Sequence, residues 1–169
     1  YMLAGVYKLF GRGYMQVALF HILLDVISII SLYHITKRLF ADLRPEQADT
    51  IAMLTGLCYA FYPYLIFQNL TLIDTPLFMA FLHAFVLVIV LLCEQAEFNW
   101  KTLGLAVLGG IMLGLAMLTR PIIMFLAILV GLWFLFRLRF WQAVLRLLPV
   151  AVLAGLLLVI WIVRNYVAV

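Results

Sequence analysis

Residues Leu77–Cys93 read LFMAFLHAFVLVIVLLC, a run that contains no Asp, Glu, Lys or Arg. Its length approaches the roughly 20 residues that an α-helix needs to cross a hydrocarbon core about 30 Å thick. The chain as a whole has the same character, because 69% of its 169 residues are apolar and only 11% are charged. Soluble domains of this size have about 45–50% apolar and about 25% charged residues. A surface with so little charge must face lipid, so the sequence predicts an all-α membrane protein.

Polar breaks on both sides of this run divide the chain into about six predicted transmembrane helices and one short helix. The short helix, Tyr1–Phe10, is predicted to lie in the membrane interface, before a break at Gly11–Gly13. The predicted spans are Tyr14–Phe40, Ile51–Gln68, about Leu72–Cys93, Thr102–Thr119, Ile122–Phe136 and Leu147–Val163. Three polar loops separate them, at Ala41–Thr50, Glu94–Lys101 and Arg137–Arg146. The prediction is a polytopic helical bundle that forms a single transmembrane domain over residues 1–169.

The distribution of basic residues predicts how this bundle lies in the membrane. One side carries seven of the 11 Lys and Arg residues: Lys37, Arg38, Arg44, Lys101, Arg137, Arg139 and Arg146. The other side carries Lys8, Arg12, Arg120 and Arg164. Basic residues are enriched in cytoplasmic loops, so loops 41–50, 94–101 and 137–146 are predicted to be cytoplasmic, at the inner (plasma) membrane of a bacterium. Both ends then lie outside, and no signal peptide is present. We therefore expect one more helix before Tyr1 and a larger parent protein.

A group of polar residues lies at the outer end of the second predicted span and just after it. Tyr62, Tyr64, Asn69 and Asp74 are placed there to contact a polar ligand, with Asp74 as its carboxylate. A structural interpretation is equally open. Thr71 and Asp74 have the spacing of a capping box, where a carboxylate stabilises the start of a helix. Tyrosines at this level are also typical of an interfacial belt.

Two arginines are predicted at the same outer level. Arg120 precedes Pro121 at the end of the fourth span, and a guanidinium there can bind a phosphate through two parallel hydrogen bonds. It can also extend to lipid headgroups, but the proline holds it at a corner, which favours phosphate. Arg164 follows Trp161 near the end of the sixth span, where a phosphate ligand and a simple helix-end anchor are equally compatible with the sequence.

Other features inside the spans have mainly structural interpretations. His21 and Asp25 are four residues apart on one helix face. Such a pair can relay protons in a transporter, although a polar contact between helices is favoured. Gly110 and Gly114 predict close packing of two helices. The two cysteines lie in apolar runs and lack the spacing of metal ligands.

The order of several motifs resembles a known family, the family-39-type membrane glycosyltransferases of the C superfamily, which includes protein mannosyltransferases and aminoarabinose transferases. The motifs that carry the resemblance are Tyr7–Gly11, Gln16–Asp25, Lys37–Phe40, Phe61–Pro63, Leu72–Leu77, Gly114–Pro121 and Arg164–Tyr166. The resemblance covers nearly the whole chain and rests on the order and spacing of the motifs.

The resemblance implies transfer of a sugar from a polyprenyl-phosphate carrier to an acceptor hydroxyl at the outer face. The partners it implies are the lipid-linked sugar and the bilayer, without nucleic acid. The family's essential acidic loop would precede Tyr1, so we expect this piece to hold no catalytic residue and to be inactive alone. No cofactor is expected here, and a divalent metal is left open for the full-length enzyme. The expected substrate-binding residues are Arg120, Arg164, Asp74, Asn69, Tyr62 and Tyr64, with Arg120 first in line to stabilise the phosphate leaving group.

The main alternative is a polytopic transporter or flippase for a lipid-linked or anionic substrate. His21 and Asp25 would then be functional residues, and an internal repeat would be expected. No such repeat is visible in the sequence.

Overall fold

A computed structural model describes residues 2–11, 13–71 and 73–167 of the chain. These residues form eight α-helices and no β-strand. The helices are α1 (Met2–Phe10), α2 (Tyr14–Ala41), α3 (Ala48–Ala60), α4 (Pro63–Asn69), α5 (Thr75–Glu94), α6 (Trp100–Thr119), α7 (Ile123–Arg137) and α8 (Phe140–Val167). The all-α prediction is confirmed.

Several helices have the length and composition of membrane spans. Among the described residues, α2, α5, α6 and α8 are long and apolar enough to cross a membrane, and the bent pair α3 and α4 adds a fifth span if it is taken as one. Helix α7 is apolar but shorter, with 15 residues. Many large apolar side chains on these helices are exposed, among them Leu129 and Ile160, as expected for helices that face lipid. The chain is an integral membrane protein with several apolar spans.

Most predicted helix limits agree with the structure within a few residues, as for the first span, which is α2. Helix α1 lies where the interfacial helix is predicted, and Gly11 has a φ of +89°, a left-handed conformation that favours glycine. Three predicted positions lie outside the described residues: Tyr1 at the start of the interfacial helix, Arg12 in the first break and Leu72 at the start of the third span.

The predicted span over Ile51–Gln68 consists of two helices, α3 and α4, instead of one. The chain breaks after α3, and the axes of α3 and α4 are bent by 52°. The cause is Pro63, which has no N–H and disfavours the helical conformation for the residue before it. That residue, Tyr62, is extended with φ −70° and ψ 114°, and Pro63 then occupies the first turn of α4, where a proline is well tolerated.

The prediction of a polar loop over Arg137–Arg146 is wrong, except at Leu138 and Arg139. Helix α8 already begins at Phe140, and Arg146 is buried within it, with 2% of its surface exposed. Buried positions recur along one face of the helix, at Ala143, Arg146, Val150 and Ala154. A charged residue can take part in this face because the Arg146 guanidinium donates to two main-chain carbonyls, those of Leu92 and Ala96.

The chain divides into two compact units, Tyr1–His83 and Ala84–Val169. In the first unit α2 packs along α3, with Gly56 close to Ile29. In the second unit the main packing is between α6 and α8. A Cβ atom added to Gly110 would lie 2.9 Å from the main-chain oxygen of Val150, and one added to Gly114 would lie 2.6 Å from the Leu157 side chain. The predicted close packing at these two glycines is confirmed.

Candidate functional site

A polar cluster lies within the first unit, at the end of α4. The carboxylate of Asp25 in α2 accepts a hydrogen bond from Nδ2 of Asn69, the last residue of α4. It also accepts a hydrogen bond of 3.5 Å from the hydroxyl of Tyr59 near the end of α3. One half-buried carboxylate therefore holds the ends of two helices against α2. This arrangement favours the interpretation of Asp25 as a polar contact between helices.

His21 belongs to the same cluster, one helical turn before Asp25. It is fully buried, and its Nδ1 lies 3.4 Å from the main-chain oxygen of Asn69. Further buried atoms of the cluster, His21 Nε2 and Gln68 Oε1, have no hydrogen-bond partner among the described residues. Buried polar atoms normally form hydrogen bonds. These two atoms can therefore accept hydrogen bonds from additional donors such as hydroxyl groups.

The predicted ligand residues of the outer segment occupy different environments. Tyr62 and Tyr64 are both exposed, and their rings meet edge to face with centroids 6.4 Å apart. Asn69 is half-buried and directs its amide towards Asp25. Asp74 is exposed and immediately precedes α5, where a carboxylate stabilises the N-terminus of the helix. Its main-chain oxygen accepts the first-turn bond from Phe78, at 3.1 Å.

Thr71 and Asp74 do not form a capping box in the structure. Helix α5 begins at Thr75, so Asp74 is not inside its first turn. The hydroxyl of Thr71 donates instead to the main-chain oxygen of Gln68 at 2.8 Å, which helps to terminate α4. Asp74 immediately precedes the helix, whereas the acidic residue of a capping box is the third residue inside it. The carboxylate still lies beside a helix N-terminus, as the spacing indicates.

The two predicted phosphate ligands lie in the second unit. Arg120 ends α6 in an extended conformation, with φ −143° and ψ 110°, and its main-chain N–H donates to the Ala116 oxygen. The residue before a proline is driven to this conformation, and the side chain is half-buried. Arg164 is exposed in the last turn of α8. Its guanidinium carbon lies 5.2 Å from the centre of the Trp161 ring, a distance at which the cation is attracted by the ring face.

The packing of α6 against α8 fixes where these arginines lie relative to each other. Gly110 contacts Val150 and Leu153, whereas Gly114, four residues later, contacts Ala154 and Leu157. The partner positions advance in the same direction as the glycines, so the two helices run parallel. If the same register continues, the end of α6 lies level with the last turns of α8. Arg120 and Arg164 therefore lie at the same end of the helix pair.

A scan against protein-family models matches residues 1–165 to the dolichyl-phosphate-mannose-protein mannosyltransferase family. The chain belongs to this family. These proteins are membrane glycosyltransferases that transfer mannose from a polyprenyl-phosphate or dolichyl-phosphate donor. The family resemblance of the sequence motifs is thereby confirmed, and it decides for a glycosyltransferase over a transporter. No curated protein and no solved structure matches the chain.

The chain has two features that sequence reasoning misses. Tyr59 lies in an apolar run with nothing to indicate that its hydroxyl reaches Asp25. Arg146 is predicted to lie in a polar loop, although the apolar residues that recur around it indicate a helix. A search of the described residues finds no group of three or more His, Cys, Asp or Glu side chains able to hold a metal ion.

Proposed function

We propose that this mannosyltransferase transfers a sugar from a polyprenyl-phosphate carrier to an acceptor hydroxyl at the outer face of the membrane, and that Arg120 and Arg164 bind the carrier phosphate. The observation that supports the proposal is that α6 and α8 run parallel. This places Arg120 and Arg164 at the same end of the second unit. Two cations at one level of an apolar helix pair suit a phosphate that is attached to a lipid chain.

The chemistry requires such a group. As the bond between the sugar and the phosphate breaks, negative charge develops on the phosphate oxygens, and fixed cationic donors lower the energy of that transition state. A guanidinium can donate two parallel hydrogen bonds to a phosphate. Arg120 is the better placed of the two arginines, because its half-buried side chain is less screened by water and Pro121 restricts the main chain beside it.

In the first unit we assign sugar and acceptor hydroxyl contacts to Tyr62, Tyr64, Asn69 and Asp74. Tyrosine rings provide flat surfaces for a sugar, and a carboxylate accepts hydrogen bonds from its hydroxyl groups. Support for Asn69 comes from its Oδ1 atom, which is buried without a hydrogen-bond partner among the described residues. Because Asp25 accepts one N–H of the Asn69 amide, the Oδ1 atom and the second N–H of Asn69 are left for a ligand.

The proposed topology has six membrane crossings, with α7 as the additional one. A parallel α6 and α8 require the chain between them to return from one end of the pair to the other, and this return is the path of α7. Its 15 residues extend about 22 Å at the usual helical rise. The segments 41–50, 94–101 and 137–146 are assigned to the cytoplasmic side, at the inner membrane of a bacterium, which leaves Arg120 and Arg164 at the outer face.

The proposal is tested by titrating the donor, polyprenyl-phosphate mannose, against the full-length protein in membranes. Arg120→Gln and Arg164→Gln should each raise the donor KM or lower kcat, with the larger loss for Arg120. Arg139→Gln is the matched control, since it removes an exposed cation beyond the opposite end of α8. Unchanged donor kinetics in both variants, at equal protein levels, would exclude the phosphate role for this end of the unit.

A further inference from the structure

A second cationic site lies in the second unit at the beginning of α8. Arg146 is 2% exposed, and its Nη atoms donate to the main-chain oxygens of Leu92 at 3.2 Å and Ala96 at 3.3 Å. Among the described residues, no carboxylate forms an ion pair with it. Burying a charge is costly unless it is paired, and two neutral carbonyls satisfy hydrogen bonds without neutralising the charge.

Arg146 also lines a cavity. The cavity has a volume of about 290 Å³ and is lined by Ala96, Glu97, Phe98, Gln142, Leu145 and Arg146. A guanidinium carries more N–H groups than its two carbonyl bonds use, and Gln142 adds another potential donor. Glu97 is the one acidic residue of the lining, and its side chain is exposed, so its repulsion of an anion is weakened by solvent.

The aromatic residues around the cavity indicate the depth at which it lies. Trp100 is 86% exposed and Trp141 is 73% exposed, and both stand in the first turns of their helices, α6 and α8. Because these helices run parallel, the two tryptophans lie at the same end of the unit. Exposed tryptophans are typical of the membrane–water interface, so the cavity lies at the level of the lipid headgroups.

From these observations we infer that the Arg146 cavity binds a phosphate group, supplied by the headgroup of an anionic phospholipid. The phosphate neutralises the buried guanidinium, and the acyl chains of the lipid remain in the bilayer beside the exposed apolar surface. Basic pockets between transmembrane helices bind anionic headgroups in this way. The site is separate from the proposed donor site, because Arg146 and Arg164 are about 27 Å apart along α8 at the usual helical rise.

The test is native mass spectrometry of the purified full-length protein with added dioleoyl-phosphatidylglycerol, compared with dioleoylglycerol, which lacks the phosphate. The wild type should retain phosphatidylglycerol and lose dioleoylglycerol. Arg146→Gln should weaken phosphatidylglycerol retention about ten- to a hundredfold, the range expected for a charged hydrogen bond. Arg44→Gln, which removes an exposed cation in the first unit, should retain it like the wild type.

A second variant keeps the inference testable if Arg146→Gln does not fold. Glu97→Gln removes the one acidic side chain of the cavity and should strengthen phosphatidylglycerol retention about two- to fivefold, the usual range for an exposed charge pair. Competition with inorganic phosphate distinguishes the source of the ligand: no displacement supports the lipid headgroup, and complete displacement overturns it in favour of free phosphate. Equal retention by wild type, Arg146→Gln and Glu97→Gln would show that Arg146 only caps the end of α5.

Discussion

Asn69 donates a side-chain hydrogen bond to Asp25, which ties the last residue of α4 to the middle of α2 across 44 residues of sequence. The same carboxylate accepts from Tyr59 of α3, and His21 lies within 3.4 Å of the Asn69 carbonyl oxygen. The segment that leads from the α3–α4 break to Asp74 is therefore anchored on α2. Its geometry depends on two residues of α2, His21 and Asp25, as well as on the segment itself.

Removing either partner of this contact should destabilise the first unit. Asn69→Ala leaves the Asp25 carboxylate with one long hydrogen bond, and Asp25→Ala leaves the amide without an acceptor. Each should lower the free energy of unfolding by about 1–3 kcal/mol, the cost of an unsatisfied buried polar group. Unfolding in mixed micelles with increasing sodium dodecyl sulfate measures the change, with Asn165→Ala as an exposed control.

The double variant provides the stricter check of the same contact. If the two side chains interact directly, the loss in Asp25→Ala/Asn69→Ala should be smaller than the two single losses together. Strict additivity of the single losses would mean that the hydrogen bond contributes nothing to stability in the folded protein.

The sequence predicted the parts of this protein that depend on local composition. Long apolar runs set the limits of α2, α5 and α6, and the spacing of Gly110 and Gly114 identified a helix contact. Partners distant in sequence could not be predicted. Asp25 lies in the structure with Asn69 and Tyr59, but its sequence neighbourhood shows only His21. The break at Pro63 and the burial of Arg146 were missed because hydropathy sums over a window and ignores main-chain hydrogen bonding.

The glycines of α6 should differ sharply in their tolerance of alanine. A Cβ at Gly110 would lie 2.9 Å from the Val150 carbonyl oxygen, an atom that moves only with its helix. Gly110→Ala should therefore lower the free energy of unfolding by about 1–3 kcal/mol through overpacking. Gly114→Ala should cost less, since its closest contact is the mobile end of Leu157, while Gly114→Leu should disrupt the pair.

Gly131 in α7 is the matched control for this series, because a Cβ atom added there would have no atom within 4 Å. Gly131→Ala should be neutral or slightly stabilising, as alanine is the better helix former. The same detergent unfolding experiment compares all the variants. A loss in Gly131→Ala as large as that in Gly110→Ala would contradict the assignment of α8 as the partner that contacts Gly110.

The start of α6 depends on one side chain. Oδ1 of Asn99 accepts a hydrogen bond from the main-chain N–H of Thr102 at 3.0 Å, the usual arrangement of a helix cap. Asn99→Ala should lower the free energy of unfolding by about 1 kcal/mol, and Asn99→Asp should retain most of the stability, because both caps are strong. Equal loss in the alanine and aspartate variants would show that the cap is unimportant.

The proposed topology predicts which positions are accessible from each side. Single cysteines at Ile122 and Asn165 should react with a membrane-impermeant maleimide in intact cells, in a background without the native cysteines. Cysteines at Glu46 and Arg139 should react only after lysis. Since Ile122 and Arg139 flank α7, labelling of both from the same side would show that this helix does not cross the membrane.

The most direct test of the central claim is the turnover of Arg120→Lys, measured as transfer from polyprenyl-phosphate mannose by the full-length protein in membranes. Lysine retains the charge but cannot form the two parallel hydrogen bonds of a guanidinium. If Arg120 holds the phosphate as the glycosyl bond breaks, turnover should fall about 100- to 1000-fold, the usual loss on removing one such contact, with the protein present at the wild-type level. Near-normal turnover would contradict the phosphate role and leave Arg120 as an anchor to lipid headgroups.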